Sequence, residues 1–336
     1  MKTENRIMKK LLVFAAAFAF CAALLGKPVD TKAEYYSYRV ADAKQVSATE
    51  TSITVSWTAV PGVAGYEIYY GTSSSTSAAK YVYSVAANAT CATVSGLPKN
   101  SKWYIFVNPY IMVDGKKSYE DCYYDYVYGA ITLPTAPNNL LADFSTKSSM
   151  KLIWGVTSIY DNTDGYEVEA YRIKNGKTPK NPTKRLTSTN PFTNWVTWGG
   201  KTAFRYPFTF RVRTYVVINN QKFYSAWSAY KQCIPGASIK KSKRYYGSSS
   251  ATLTWYKVNS AKSYDVYWAT GDYEGPTSKW KRVKKNVKGT SATVKYSKSA
   301  SYNYYYIKPN KVKIGKKRVS APKPTSVNSF IKWRVY

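Results

Sequence analysis

The chain has 336 residues, with 50 Lys and Arg against 18 Asp and Glu, a formal net charge of +32. It contains no histidine, which excludes Ser-His-Asp and Cys-His catalytic centres and any His-ligated metal site. A hydrophobic content of 44% excludes wholesale disorder, and the length predicts two or three domains of roughly 100–200 residues each.

Residues 1–33 read as a signal peptide. Lys2, Arg6, Lys9 and Lys10 form a basic start, and the run from Leu11 to Leu25 is apolar and uncharged. Thr31-Lys32-Ala33 then has the small-x-small character of a cleavage site. The apolar run is shorter than the ~20 residues a membrane-spanning helix needs, and residues 330–336 are too short and too charged to span. No transmembrane anchor is therefore expected. The mature chain should begin near Glu34 and be secreted, extracellular, and open to association with a cell envelope. Three cysteines then remain, Cys91, Cys122 and Cys233, an odd number that cannot all pair within one chain. A Cys91–Cys122 bridge is one reading; three small apolar core residues is the other.

Beyond the leader, the chain repeats with a period of about one hundred residues. Ile53-Thr54-Val55-Ser56-Trp57 returns as Met150-Lys151-Leu152-Ile153-Trp154 and as Ala251-Thr252-Leu253-Thr254-Trp255. A second block follows each Trp after a turn-like stretch: Gly65-Tyr66-Glu67-Ile68-Tyr69, Gly165-Tyr166-Glu167-Val168-Glu169 and Ser263-Tyr264-Asp265-Val266-Tyr267. The third block is a period-2 run, expected to bury Trp103, Ile105 and Val107 in the first copy, Phe208, Phe210 and Val212 in the second, and Tyr302, Tyr304 and Tyr306 in the third. The segments are short and rich in Val, Ile, Thr, Tyr and Trp, which suit strands. Between them cluster Gly, Asn, Asp, Pro and Ser. About seven alternating strands in one hundred residues predict a Greek-key sandwich, with each Trp plugging the space between two sheets.

In this order the motifs resemble the fibronectin type III domain. Each Trp followed by Gly/Ser-Tyr-x-Ile/Val is similar to that family's strands B and C. Leu97-Pro98-Lys99-Asn100-Ser101-Lys102-Trp103 resembles its Leu-x-Pro-x-Thr-x-Tyr corner, with Trp103 in the tyrosine place. Tyr296 and Tyr302 share that spacing, and Tyr224-Ser225-Ala226-Trp227-Ser228 resembles the entry to strand G. The second copy departs most, with an insertion-like stretch from Lys174 to Asn190. The resemblance implies an all-β protein of three tandem immunoglobulin-like (fibronectin type III) β-sandwiches, over 34–133, 134–236 and 237–336. It also implies that Glu67, Glu167 and Glu169 are structural residues of strand C. Leu133-Pro134-Thr135-Ala136-Pro137 and Ile234-Pro235-Gly236 read as short stiff joints, giving three beads in a rod.

Charge is graded along the chain. Residues 34–133 hold 7 basic and 8 acidic residues, a net of −1; residues 134–236 hold 14 and 5, a net of +9; residues 237–336 hold 23 and 3, a net of +20. A dense positive surface attracts polyanions through counterion release. The basic runs nominate Lys281, Arg282, Lys284 and Lys285, and Lys311, Lys313, Lys316, Lys317 and Arg318, with Lys311, Lys313 and Lys317 alternating to one face of a strand. The expected partner is an anionic cell-wall polymer or acidic polysaccharide, with nucleic acid bound only non-specifically.

The 34 Tyr, 10 Trp and 11 Phe exceed what three cores need. Tyr124, Tyr126 and Tyr128 share one strand face, and some of the Tyr302–Tyr306 row should face solvent. Exposed aromatic rows contact sugars or proteins. No catalytic motif, phosphate loop, metal site or cofactor site is expected; Asp161-Asn162-Thr163-Asp164-Gly165 lacks the later Glu of a calcium loop. The sequence thus reads as a secreted, non-enzymatic binding or adhesion protein. The alternatives are a carbohydrate-binding accessory of secreted hydrolases, or a ligand-free spacer.

Overall fold

The computed structural model describes residues 37–143, 149–155, 162–199, 203–244, 247–324 and 331–333. The signal peptide expected over 1–33, Asp161, and the chain end beyond 333 lie outside them. Among the described residues every regular element is a strand except two short 3-10 turns, Thr76–Ala78 and Ala203–Arg205.

The strands form a three-stranded sheet and a larger one in each of three successive copies, the larger having five strands in the first two, where Lys116–Ser118 and Lys231–Cys233 add to the four-strand path, and four in the third. In the first copy, Lys44–Ala48, Ser52–Ser56 and Cys91–Ser95 make the smaller sheet. Asp125–Ile131, Lys102–Val113, Gly65–Gly71 and Lys80–Ala86 make the larger, in that order. In the second, Asn138–Asp143, Ser149–Gly155 and Trp195–Gly199 lie opposite Lys184–Ser188, Gly165–Arg172, Phe208–Ile218 and Gln221–Tyr224. The edge strand Lys184–Ser188 accounts for part of the insertion-like stretch. In the third, Ile239–Arg244, Ser250–Trp255 and Ser291–Lys295 lie opposite Lys281–Val287, Ser263–Gly271, Tyr302–Asn310 and Ile331–Trp333. The hairpins turn where the sequence permits positive φ: Asp114-Gly115 and Asn219-Asn220 each place both central residues there.

Period-2 alternation builds the cores. Met150, Leu152 and Trp154 are buried along Ser149–Gly155 while their neighbours are half-buried, and Ala251, Leu253 and Trp255 repeat the pattern. Each core contains the expected Trp, packed on the Tyr of the second block: Trp57 on Tyr66, Trp154 on Tyr166 and Trp255 on Tyr264, with ring centroids 5.2, 4.9 and 5.5 Å apart. Such a tilted or edge-on pair adds about 0.5–1.5 kcal/mol beyond area burial. The Tyr66 and Tyr264 hydroxyls accept the N–H of Val60 and Val258 at 2.7 and 2.9 Å, pinning the turn after each Trp.

Three sequence expectations are corrected. First, the third core takes Tyr305 and Ile307, with the polar Asn303 buried on the same face, while Tyr304 and Tyr306 are buried outside that core and Tyr302 is half-buried. A shift of one residue turns a strand's whole side-chain set over, and here a polar residue holds a core position. The Asn303 Oδ1 accepts the Trp268 indole N–H at 2.9 Å and the Ser297 amide at 2.8 Å, while its Nδ2 donates to the Ser297 carbonyl at 3.0 Å. Second, Tyr304 and Tyr306, on the outer face, are covered rather than solvent-facing. Tyr304 donates to the Asp272 carbonyl, Tyr306 donates to the Pro322 carbonyl at 3.3 Å, and Gly236 presses on the Tyr306 ring. Third, Cys122 and Cys233 are free thiols, so the Cys91–Cys122 bridge is not made. Burial pushes the Cys233 thiol up to about 12.

By mutual packing the described chain divides into two compact units. One holds residues 37–135, 162–163 and Tyr215–Ser225; the other holds the rest. Within the first unit, Ile131 and Leu133 bury against Val216 and Phe223. Within the second, Ile234 and Ala237 join the third core, so the residues of that short joint are part of the packing.

Candidate functional site

All nine cations nominated by the sequence are exposed. Lys281, Arg282, Lys284 and Lys285 lie on Lys281–Val287, an edge strand paired only with Ser263–Gly271, whose Val283 and Val287 turn to the core. Arg282 has an acidic partner, the buried Asp265, with Nη1 3.6 Å from Oδ2. Asp265 is otherwise occupied: its Oδ1 accepts the Asn286 amide at 2.9 Å and Asn310 Nδ2 at 2.8 Å.

The other five cations surround a hairpin. Val312–Ile314 pairs with Lys317–Val319 across Gly315-Lys316, and Lys311 enters it with φ 51°. Buried Val312 anchors it. Lys313 and Arg318 are direct cross-strand partners, a like-charge arrangement that costs stability. The Arg318 Nη1 donates to the carbonyls of Lys311 at 2.8 Å and Ser260 at 3.4 Å. Among the described residues none of the seven lysines in the two groups forms a salt bridge.

Strand register decides which of these meet. Tyr264 faces Val287 on one side and Pro309 on the other. The C-terminal part of the edge strand, with Lys284 and Lys285, therefore flanks the sheet end that carries the hairpin. Lys281 and Arg282 sit further along, beside Trp268 and Tyr267, so the cations form two groups rather than one line. Exposed Lys262 and Lys288 extend the first group. They were missed because each stands alone in sequence, outside any run.

Tyr124, Tyr126 and Tyr128 lie together on the outer face of the first copy's larger sheet, 43%, 38% and 76% exposed. The adjacent strand adds two rings that sequence reasoning did not nominate. Tyr104 lies 5.9 Å from Tyr126 and 5.4 Å from Tyr128. Phe106 lies 5.9 Å from Tyr124 and 5.6 Å from Tyr126, and is itself fully buried beneath them. The available signal was that Tyr104 and Phe106 alternate with the core residues Trp103, Ile105 and Val107, so both faces of that strand carry large rings.

The strand C carboxylates are engaged within the fold. Glu67 accepts from Lys117 Nζ at 2.6 Å, Tyr69 at 2.6 Å and Tyr119 at 2.9 Å. Burial works against its charge, but these donors outweigh it and hold the carboxyl below its ordinary range. Glu169 is buried likewise, and hydrogen bonds from Tyr171, Arg211 and Arg185 again lower its pKa. Glu167 pairs with Arg213 at 2.7 Å. The indole of Trp227 lies against both Arg211 and Arg213, each 4.4 Å from the ring centroid, continuing the ladder by cation–π contact. With their pKa values lowered, the Glu67 and Glu169 carboxyls are poor proton donors or acceptors near neutral pH. Among the described residues no group of three His, Cys, Asp or Glu side chains could hold a metal ion.

No family model matches the chain, and no curated protein matches it. Among solved structures it is similar to the FN1–FN3 domains of chicken CNTN1, at 14% identity, over 88% of this chain and 99% of that one, with a TM-score of 0.27. It is also similar to a segment of two fibronectin type III domains from chicken tenascin, at 15% identity, over 57% of this chain and 98% of that one, with a TM-score of 0.29. The strand order is what identifies the architecture: a three-stranded sheet against a path of four paired strands, with a Trp–Tyr couple between them, repeated in tandem as fibronectin type III-like sandwiches.

Proposed function

We propose that this chain is a secreted, non-enzymatic binding protein whose third sandwich engages linear polyanions of a cell envelope. Tandem sandwiches of this type serve as binding, adhesion or spacer modules, and the cation layout favours binding over a bare spacer. The observation that carries the reading is the set of exposed lysines on Lys281–Val287 and the 311–318 hairpin, free of acidic partners among the described residues, with Lys313 set opposite Arg318. A fold gains nothing from facing like charges, whereas a bound row of phosphates or carboxylates relieves the repulsion and releases counterions. Because flexible lysines dominate over bidentate guanidinium forks, recognition is by charge density rather than by sequence or stereochemistry, and nucleic acid would be bound without specificity. Incubating the purified mature chain with isolated anionic cell walls tests this. Retention at low salt, lost as salt rises and lost when the anionic polymer is stripped from the wall, is expected. Absent or salt-insensitive retention refutes it.

A further inference from the structure

We infer that the outer face of the first sandwich's larger sheet is a stacking platform for an uncharged chain of hexopyranose units. This rests on a different surface from the polyanion reading and does not depend on it. Tyr104, Tyr124, Tyr126 and Tyr128 form a continuous group with neighbouring centroids 5.4 to 6.4 Å apart, on a floor of buried Phe106. Edge-on and tilted contacts among these rings hold them in place before any ligand arrives, so little ordering cost remains. The core of this sandwich lies on the other side of the sheet, and the group is not required to close it.

The three sandwiches treat this face differently. In the second it is filled by the Arg211–Trp227–Arg213 ladder and its carboxylates. In the third it is covered by Asp272, Pro322 and Gly236. In the first it stays open, with Tyr128 76% exposed.

Chemistry selects the occupant. Among the described residues the hydroxyls of Tyr104, Tyr124, Tyr126 and Tyr128 take no hydrogen-bond partner, and no cation stacks on their rings. Two carboxylates of these strands are engaged: Asp125 accepts the amides of Ala43 and Tyr126 at 3.0 and 2.8 Å, and Glu67 is paired with Lys117; one exposed cation, Lys102, stands two residues before Tyr104 on the same strand. A single lysine beside four rings offers an anionic polymer little charge density, and a cationic one meets carboxylates that are already engaged. A pyranose offers an apolar C–H face to a ring and hydroxyls to the phenol rim, and a polymer of such units matches a row of amphipathic rings.

The test is affinity electrophoresis of the full mature chain through gels containing laminarin, hydroxyethyl cellulose, mannan or glycol chitin, at low and high salt. At least one of these should retard the protein, with little dependence on salt. Y124A/Y126A/Y128A should weaken that retardation about tenfold or more, while Y124F/Y126F/Y128F, which keeps the rings, should lose less. Lys284→Gln with Lys285→Gln should leave it unchanged, which separates this inference from the polyanion reading. Retardation by none of the polymers, or equal retardation of the triple Ala variant with native thermal stability, overturns the inference. So does concentration-dependent self-association of the parent in analytical ultracentrifugation that the triple Ala variant abolishes, because the face would then bind a second copy.

Discussion

Replacing Lys284 and Lys285 by Gln should flatten the salt dependence of polyanion binding without touching the fold. Of the nine nominated cations, Arg282 is paired with Asp265 and Arg318 is spent on two carbonyls. The seven lysines fall into two groups, and a linear chain crossing the hairpin end of the sheet meets Lys284, Lys285 and about two of the hairpin lysines. With about four charges neutralised, the slope of log affinity against log salt is about −3.6, and affinity falls about 150-fold between roughly 50 and 200 mM salt. Removing two of the four should bring the slope to about −1.8. A labelled short DNA duplex serves as a polyanion of known charge spacing, read by fluorescence anisotropy across a salt series. Both side chains are exposed, so stability should stay within about 0.5 kcal/mol. A parent slope shallower than about −1, or one that the double substitution leaves unmoved, would refute the reasoning.

Asn303→Ala should destabilise the third sandwich by about 2–4 kcal/mol in chemical denaturation, because it strands the Trp268 indole N–H and both Ser297 backbone groups; a change of surface size, under about 0.5 kcal/mol, would contradict the buried network. The carboxyls of Glu67 and Glu169 lie below their ordinary values in the fold, so their stabilisation is present above the usual carboxylate range near ~4.3 and is lost as pH falls through the depressed values. The gap in melting temperature between the parent and Glu169→Gln should therefore shrink on acidification below about pH 4, and a constant gap would count against the ladder. Gly236→Ala places a methyl within 3.1 Å of Tyr306 Cδ2 and closer still to Cε2, which should cost about 1–3 kcal/mol. Combining it with Tyr306→Ala should give a total smaller than the two separate losses, and strict additivity would show that the two do not touch.

The sandwich architecture was legible because its anchors are large and regularly spaced. Trp57, Trp154 and Trp255 each precede a Tyr that packs against them, and few residue types fill an inter-sheet gap of that size. What failed was the facing of Tyr302–Asn310. Tyr302, Tyr304, Tyr305 and Tyr306 put rings at both odd and even positions, so alternation cannot say which set is inward. The deciding residue, Asn303, is polar, and its fitness for the core depends on Trp268 and Ser297, which only the fold brings together. The cations were legible as runs, but their division into two groups depends on Tyr264 pairing with both Val287 and Pro309. Three of the five rings of the aromatic platform were visible in Tyr124, Tyr126 and Tyr128; Tyr104 and Phe106 were hidden because their strand had already been assigned to the core by its other face.

The Lys281–Val287 strand has a second consequence. An unpaired strand edge is a template on which another chain can extend the sheet. Here the edge carries four cations in seven residues, so two copies approaching edge to edge repel each other before their backbones can zip together. That guard is electrostatic and therefore conditional: a polymer that titrates those charges also lowers the barrier. Copies crowded along an acidic chain are thus the setting in which sheet-to-sheet aggregation through this edge would begin.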